Sequence, residues 1–460
     1  MLILNNGLIV NGDGRTAPFT GSIVIEGSRI AAVGPAGYTG GVGDVVIDAG
    51  GRLLMPGAVN PHAHAVAPGP RFASGTPGVS VEEALGNLRC HLAQGHTTVV
   101  DLDGFKVPEE TALVRGRQPV RVESSTIHFE PMFTAADAVD GAGLDDVHRA
   151  TTAQKMVATG AVVIGEVGAG MTLGGGGQDY MYIPAALEKA TGVRILPAQA
   201  KALKYAVLGR HVRPGSPDRQ KIADLLRQQG LADLIGVDTV ITLIEESVLP
   251  SFQVALDGLV ASADLALELG VPTLVHNSAP SDEAAREAAR IAKELFIGGH
   301  TNHGTFSSEE AVRNARWIKE QGGFVEIDTF DAWGRRELHA TPEHLIALVQ
   351  EGLVDIMATD YAAGHWDGMF EMVDAVARVG LAPLEQAVAM ATGNVGRALP
   401  RVGAERGVLK AGLLADVVIS APRSPAEVCC VVIGGEIALA RDEFAAPGTK
   451  ARTAAGSARG

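Results

Sequence analysis

Cysteine is nearly missing from this chain, with three in 460 residues. Three thiols cannot build a disulfide framework, and Cys429-Cys430 sits in an apolar, strand-like run. The cysteines therefore read as buried thiols of a reducing compartment. A block of Lys or Arg is also missing, and the formal net charge is −15. That balance argues against a nucleic-acid surface. No run of about 18 apolar residues occurs, so no membrane span is expected. The segment Met1–Gly7 lacks a basic leader region and its apolar run is short, so a signal peptide is not expected and the expected location is cytoplasmic. No Gly-x-Gly-x-x-Gly follows the first strand of the central region, which disfavours a dinucleotide-binding open sheet.

What is present is the composition of a soluble globular protein, 46% hydrophobic and 20% charged, with 57 glycines that imply many tight turns. Residues 1–52 read as short strands broken by glycines: Leu2–Leu4, Gly7–Asn11, Ser22–Glu26, Arg29–Val33 and Val45–Asp48. The far end repeats the pattern at Gly407–Leu409, Ala415–Ser420, Val428–Ile433 and Glu436–Leu439. Residues 1–52 and 405–445 are expected to combine into one β-sandwich, followed by a flexible tail at 446–460.

Between them, strand, loop and helix alternate. Strands are predicted at Leu54–Asn60, Thr97–Asp101, Arg121–Ile127, Ala161–Val167, Pro272–His276, Leu295–His300, Phe324–Ile327 and Ile356–Asp360. Amphipathic helices are predicted at Val81–Gln94, Asp282–Lys293, Ser308–Glu320 and Pro342–Gln350. This is the pattern of an α/β protein, a (β/α)8 TIM barrel over residues 53–404. The interval from Glu166 to His276 is too long for one repeat of roughly 30 residues. It predicts an insertion at 171–255 that covers the active site, with a strand-like Arg194–Pro197 and a helix over Ala198–Gly209.

The most informative residues are Asn60-Pro61-His62-Ala63-His64. In a strand, residues i and i+2 point to one side, so this spacing aims two imidazoles at one spot. TIM barrels keep their chemistry at the C-terminal ends of their strands. There the chain places His62, His64, Glu166, His276, His300 and Asp360. Six buried, unpaired polar groups would each cost about 1 kcal/mol or more. Two divalent cations bridged by a carboxylate would satisfy them. Mixed nitrogen and oxygen ligation suits Zn2+, with Fe2+, Co2+ or Mn2+ as alternatives.

This set, in the order His-x-His, Glu, His, His, Asp, resembles the ligand pattern of the amidohydrolase superfamily, and within it is most similar to enamidase. The likeness extends to Gly165-Glu166-Val167-Gly168, His300-Thr301-Asn302, Ala391-Thr392-Gly393-Asn394 and the terminal Gly407-x-Leu409-x-x-Gly412-x-x-Ala415-Asp416. It covers nearly the whole chain except roughly 171–255. The resemblance implies that His62, His64, Glu166 and Asp360 hold a buried metal and that Glu166, His276 and His300 hold an exposed one. Glu166 takes the bridging position; Lys201 or Lys204 of the insertion is the alternative bridge. Two such cations would yield a bridging hydroxide near neutral pH, with Asp360 shuttling its proton to the leaving nitrogen. The implied function is hydrolysis of a C–N bond in a small amide or lactam, by a homo-oligomer (dimer or tetramer). A mononuclear heterocycle deaminase and a non-catalytic scaffold are the alternatives. The deaminase is disfavoured because no glutamate follows His276 in Asn277-Ser278-Ala279-Pro280-Ser281-Asp282.

His303 is a candidate to bind substrate or stabilise an oxyanion, with a surface-loop histidine as the alternative. Arg71, Asn87, Asn277, Tyr180, His365 and Trp366 are candidates to line the pocket, and Tyr182 to form an apolar lid with Tyr180. His96, at the non-catalytic end of strand two, is expected to be structural. His91, His148, His211, His339 and His344 are expected to face solvent. The run Gly174–Gly177 lacks a following Lys-Ser/Thr, so it reads as a hinge rather than a phosphate loop.

Overall fold

The computed structural model describes residues 1–71, 74–174, 176–329, 342–360, 368–441 and 444. His339, His365 and Trp366 lie outside them. The chain opens with strands β1 (Leu2–Ile9), β2 (Phe19–Glu26), β3 (Arg29–Pro35), β4 (Val45–Asp48) and β5 (Leu53–Pro56). Next come β6 (Ala58–Ala63), β7 (His96–Asp101), β8 (Arg121–Thr126) and β9 (Val163–Val167). They are followed by β10 (Thr273–His276), β11 (Phe296–Gly299), β12 (Phe324–Asp328) and β13 (Ile356–Ala358). The end of the chain adds β14 (Val417–Ser420), β15 (Val428–Ile433) and β16 (Glu436–Ala440).

Strands β6 to β13 pair in sequence order, each parallel to the next. The seam between last and first is drawn together by Asn60 Nδ2 donating to Thr359 Oγ1 at 2.7 Å and by Asp360 N donating to the His62 carbonyl at 3.0 Å. This is the predicted TIM barrel. The outer helices follow their sequence signals. Ser307 caps Ser308–Glu320 by accepting from Glu310 N at 3.2 Å, while the Glu310 carboxylate accepts from Ser307 N, a reciprocal capping box.

The two chain ends share one eight-stranded sheet in the order β16-β15-β14-β5-β1-β2-β3, with β4 also on β1. It surrounds a separate core that includes Leu4, Ile23, Ile47, Leu54, Ile419 and Cys430. Three expectations need correction. Leu54 and Met55 do not belong to the first barrel strand. They lie in β5, antiparallel to β14, and the break falls at Gly57, where a Cβ would come within 2.1 Å of Thr97. Leu2–Leu4 and Gly7–Asn11 are one strand, kinked by a register shift between Leu4 and Gly7 where Asn6 takes φ 55°. Arg194–Pro197 is no strand, because Pro197 occupies the first turn of the helix Pro197–Leu208.

Among its described residues, the long interval between β9 and β10 is helical apart from turns and loops. Its last helix, Val237–Leu269, has 33 residues and passes unbroken through residue 255. Among the described helices it is the one long and apolar enough, by length and composition alone, to cross a membrane. Here it packs as a barrel helix. Its buried stripe runs Val240, Ile244, Val248, Ala255, Leu259, Ala263 and Ala266, at helical spacing. It lies against the helices Glu130–Val139 and Asp282–Ala292, and Gly258 lets Met132 approach to a distance no Cβ would permit.

Candidate metal centre

The barrel register brings the four strand-end histidines within 4 Å of the Glu166 carboxylate. Glu166 Oε1 lies 2.6 Å from His276 Nδ1 and 3.0 Å from His300 Nε2. Its Oε2 faces His64 Nε2 at 3.7 Å and His62 Nε2 at 3.8 Å. Asp360 closes the group, with Oδ1 at 3.2 Å from His64 Nε2 and 3.5 Å from His62 Nε2. Two sets could each hold an ion: His62, Glu166 and His300, and His62, His64 and Asp360. Glycines permit the close packing beneath. A Cβ on Gly165 would sit 2.8 Å from the Leu274 carbonyl. His300 and Asp360 both have positive φ, 55° and 48°, at the turn leaving their strands, a conformation non-glycine residues keep where tertiary contacts enforce it.

Three of the imidazoles are oriented from behind by carboxylates. His62 Nδ1 is 2.8 Å from Glu326 Oε1, His64 Nδ1 is 2.9 Å from Asp103 Oδ1, and His300 Nδ1 is 3.1 Å from Asp328 Oδ2. Asp103 is held in turn by the Lys106 ammonium, which also donates to Asp101 at 2.8 Å. A carboxylate on Nδ1 leaves Nε2 to face inward, the arrangement that metal-ligating histidines share. Among the described residues, the buried His62 Nε2 and His276 Nε2 find no hydrogen-bond partner. The His62 nitrogen, which faces Glu166 and Asp360, is a donor that a divalent cation would complete.

The electrostatics agree. Burial opposes charge on His62, but Glu326 and Glu166 outweigh it and push its pKa up to about 10. His64 rises to about 9 because Asp103 and Asp360 outweigh its burial. His300 is raised well above the usual range, against its burial, by Asp360, Asp328 and Glu166. Burial would raise Glu166, yet His276, His300 and His62 hold it well below the carboxylate range. Asp360 is likewise depressed, against its burial, by His300, His64 and His62. Positive charge is thus favoured beside these two carboxylates, at the spot where a cation could supply it.

The remaining candidates scatter. His303 is buried beside His276, with ring centroids 5.3 Å apart. Asn277 turns its amide to Asn314 Oδ1 at 2.6 Å and Thr301 Oγ1 at 3.3 Å, tying β10 to the helix Ser308–Glu320. Arg71 pairs with Glu83. Asn87 donates to the Ala65 carbonyl at 2.8 Å, bracing the loop after His64. Tyr180 is 47% exposed, on the turn Gln178–Tyr182. Lys204 Nζ is 2.6 Å from Asp179 and donates to the Gly174 carbonyl, inside the insertion. Lys201 lies over the Tyr205 ring.

Contrary to expectation, His91, His148 and His344 are buried. His91 Nδ1 lies 3.2 Å from His96 Nδ1, His148 faces Glu110 and Asp145, and His344 Nε2 donates to the Phe306 carbonyl at 2.7 Å. Asp103, Glu326 and Asp328 are site residues beyond those expected from the sequence. Their signal was there: Asp101 and Asp103, like Glu326 and Asp328, are charged residues two apart in or just past an apolar strand. His128, buried just beyond β8 against Phe105 and Phe133, was also passed over.

Neither a family model nor a curated protein sequence matches the chain. Solved structures do. The chain is similar to a Xaa-Pro dipeptidase with bound methionine in the active site, at TM-score 0.58 and 14% identity over 95% of this chain and 99% of that one. It is similar to 5-methylcytosine deaminase from Klebsiella pneumoniae, at 0.54 and 15% over 96% and 98%. It is also similar to enamidase, a member of the amidohydrolase superfamily, at 0.51 and 17% over 96% of each chain. The chain has the fold of amidohydrolase-superfamily enzymes. The likeness to enamidase is present but not singled out among them.

Proposed function

We propose that this chain is a metal-dependent hydrolase that cleaves the C–N bond of a small amide or cyclic amide. The observation that carries this reading is the convergence of His62, His64 and His300 Nε2 on Glu166 and Asp360, each ring braced at Nδ1 by a buried carboxylate. His62, His64, Glu166 and Asp360 would hold one divalent cation, and Glu166, His276 and His300 a second. When bound, such cations, zinc being best suited to these donors, supply Lewis acidity and make water acidic enough to attack near neutral pH.

The chain's own side chains do the rest. Asp360 is the most open of the set, its side chain 15% exposed, and it is held ionised by the surrounding imidazoles. In this reading it accepts the proton of the attacking water at Oδ1 or Oδ2 and returns it to the departing nitrogen. Water then supplies a hydroxyl to the carbonyl carbon and a proton to the nitrogen, giving a carboxylate and an amine. Glu326, Asp103 and Asp328 keep the imidazoles from rotating.

The test is direct. The purified protein is analysed for bound metal and then screened, metal-loaded, against lactams, anilides, carbamates and aminated heterocycles. A carboxylate and an amine from one of the first three classes support the reading. Ammonia from an aminated heterocycle would replace it with the deaminase. A chain that takes up no divalent cation would end both.

A further inference from the structure

One network joins the inserted helices to the metal centre. Arg210 lies just past the helix Pro197–Leu208. Its guanidinium grips the Glu310 carboxylate as a fork, with Nη2 donating to Oε1 at 2.8 Å and Nη1 to Oε2. Nη1 also donates to the Thr305 carbonyl at 2.6 Å. Thr305 in turn controls His303. The Thr305 hydroxyl accepts from Ala279 N at 3.0 Å and lies 2.7 Å from His303 Nδ1. The Thr305 backbone N–H also donates to His303 Nδ1, at 3.2 Å.

A backbone N–H directed at Nδ1 favours the tautomer in which that nitrogen carries the lone pair. That tautomer is neutral and carries its proton on Nε2. In that tautomer Nε2 is a hydrogen-bond donor and not a base. The ring stands edge-on to His276 and 6.3 Å from His300, centroid to centroid, so it lies beside the two histidines that would hold the second cation.

We propose that Arg210 is a positioning residue that, through Thr305, holds His303 as an Nε2–H donor to the acyl oxygen and to the oxyanion it becomes. This inference rests on the hydrolase reading above. It gives the insertion a part in the reaction: Arg210 is a bidentate, always-charged anchor that lysine could not reproduce. A donor aimed at developing charge acts on the chemical step more than on substrate binding.

The experiment uses the full-length, metal-loaded protein labelled with 15N-histidine. Long-range 1H–15N correlation spectra report which ring nitrogen is protonated, and His303→Gln identifies the signal. In the wild type, His303 is expected to show a protonated Nε2 and a bare Nδ1. In Arg210→Gln and Thr305→Val the two nitrogens should average between tautomers, with metal content unchanged. On a substrate found in the screen, Arg210→Gln should lower kcat about 10-fold with little change in KM. His303→Leu should lower it about 100-fold, and His303→Gln, which keeps an N–H donor, should lose less. Glu310→Gln, which spares Arg210, provides a milder disruption should Arg210→Gln misfold, and is expected to move the same signal. A protonated Nδ1 in the wild type, or an unchanged tautomer signal in both Arg210→Gln and Glu310→Gln, overturns the proposal. A wild type that hydrolyses nothing while showing the expected tautomer overturns the hydrolase reading instead, and leaves the Arg210–Thr305–His303 network standing.

Discussion

Glu326 Oε1 lies 2.8 Å from His62 Nδ1, and both side chains are fully buried. The two residues are 264 positions apart and come from β12 and β6, the strands either side of β13 at the barrel seam. A carboxylate in this position fixes the imidazole tautomer and makes Nε2 a stronger donor to whatever it faces. Glu326→Gln should therefore weaken divalent metal binding by about 10- to 100-fold while leaving the fold intact. Competition against a chelator of known affinity measures this. Equal affinity in variant and wild type would show that Glu326 braces nothing.

Asp360 and Glu166 are the two carboxylates on the inner side of the centre. Asp360→Asn should keep much of the bound metal but lose about 100-fold or more in kcat, because the amide cannot accept a proton. Glu166→Gln should lose metal as well as activity. Elemental analysis and steady-state rates read both. Unchanged metal content in Glu166→Gln, together with an unchanged rate in Asp360→Asn, would end the assignment of the site.

Away from the centre, the buried pair His91 and His96 gives a pH dependence with a definite sign. Burial pushes His96 down from 6.5 to about 4. Between those values the unfolded chain binds more protons than the folded one, so stability falls as pH falls. The contribution is fully present above pH 6.5 and is lost towards pH 4; a shift of that size corresponds to about 3 kcal/mol. Urea unfolding across this range checks it. His96→Asn should flatten the acid limb, and an identical slope in the variant would contradict the reading.

In the insertion, Lys204 is fully buried with Asp179 at 2.6 Å. Lys204→Met leaves a carboxylate without its ammonium partner and should cost about 3 kcal/mol. Adding Asp179→Asn should recover much of that loss. A double-mutant cycle by chemical unfolding decides it. A double-variant loss equal to the sum of the two single losses would mean the pair does not couple.

Much of this site could be read from the chain alone. The His62-x-His64 spacing carries its own geometry, because side chains two apart on a strand share a side. The alternation of strand and helix then puts Glu166, His276, His300 and Asp360 at the same end as His62 and His64. Helix limits such as Ser308–Glu320 were legible for the same reason: Ser307 and Glu310 are local signals that act within one turn. The residues passed over share a different property. Asp103, Glu326 and Asp328 matter through partners 39, 264 and 28 positions away, and nothing local names those partners.

Burial of the lone histidines was equally hidden. His148 sits on a short, polar helix, and only its neighbours Glu110 and Asp145 explain why it can be enclosed. His62 and His64 could be recognised in advance because period-two alternation is a property of the backbone. Which nitrogen of each ring faces inward, and which carboxylate stands behind it, was decided only when eight strands closed into a barrel. The same closure set Arg210 against Thr305, across 95 positions. Local spacing dictates where a side chain points; the register of distant strands dictates what it meets.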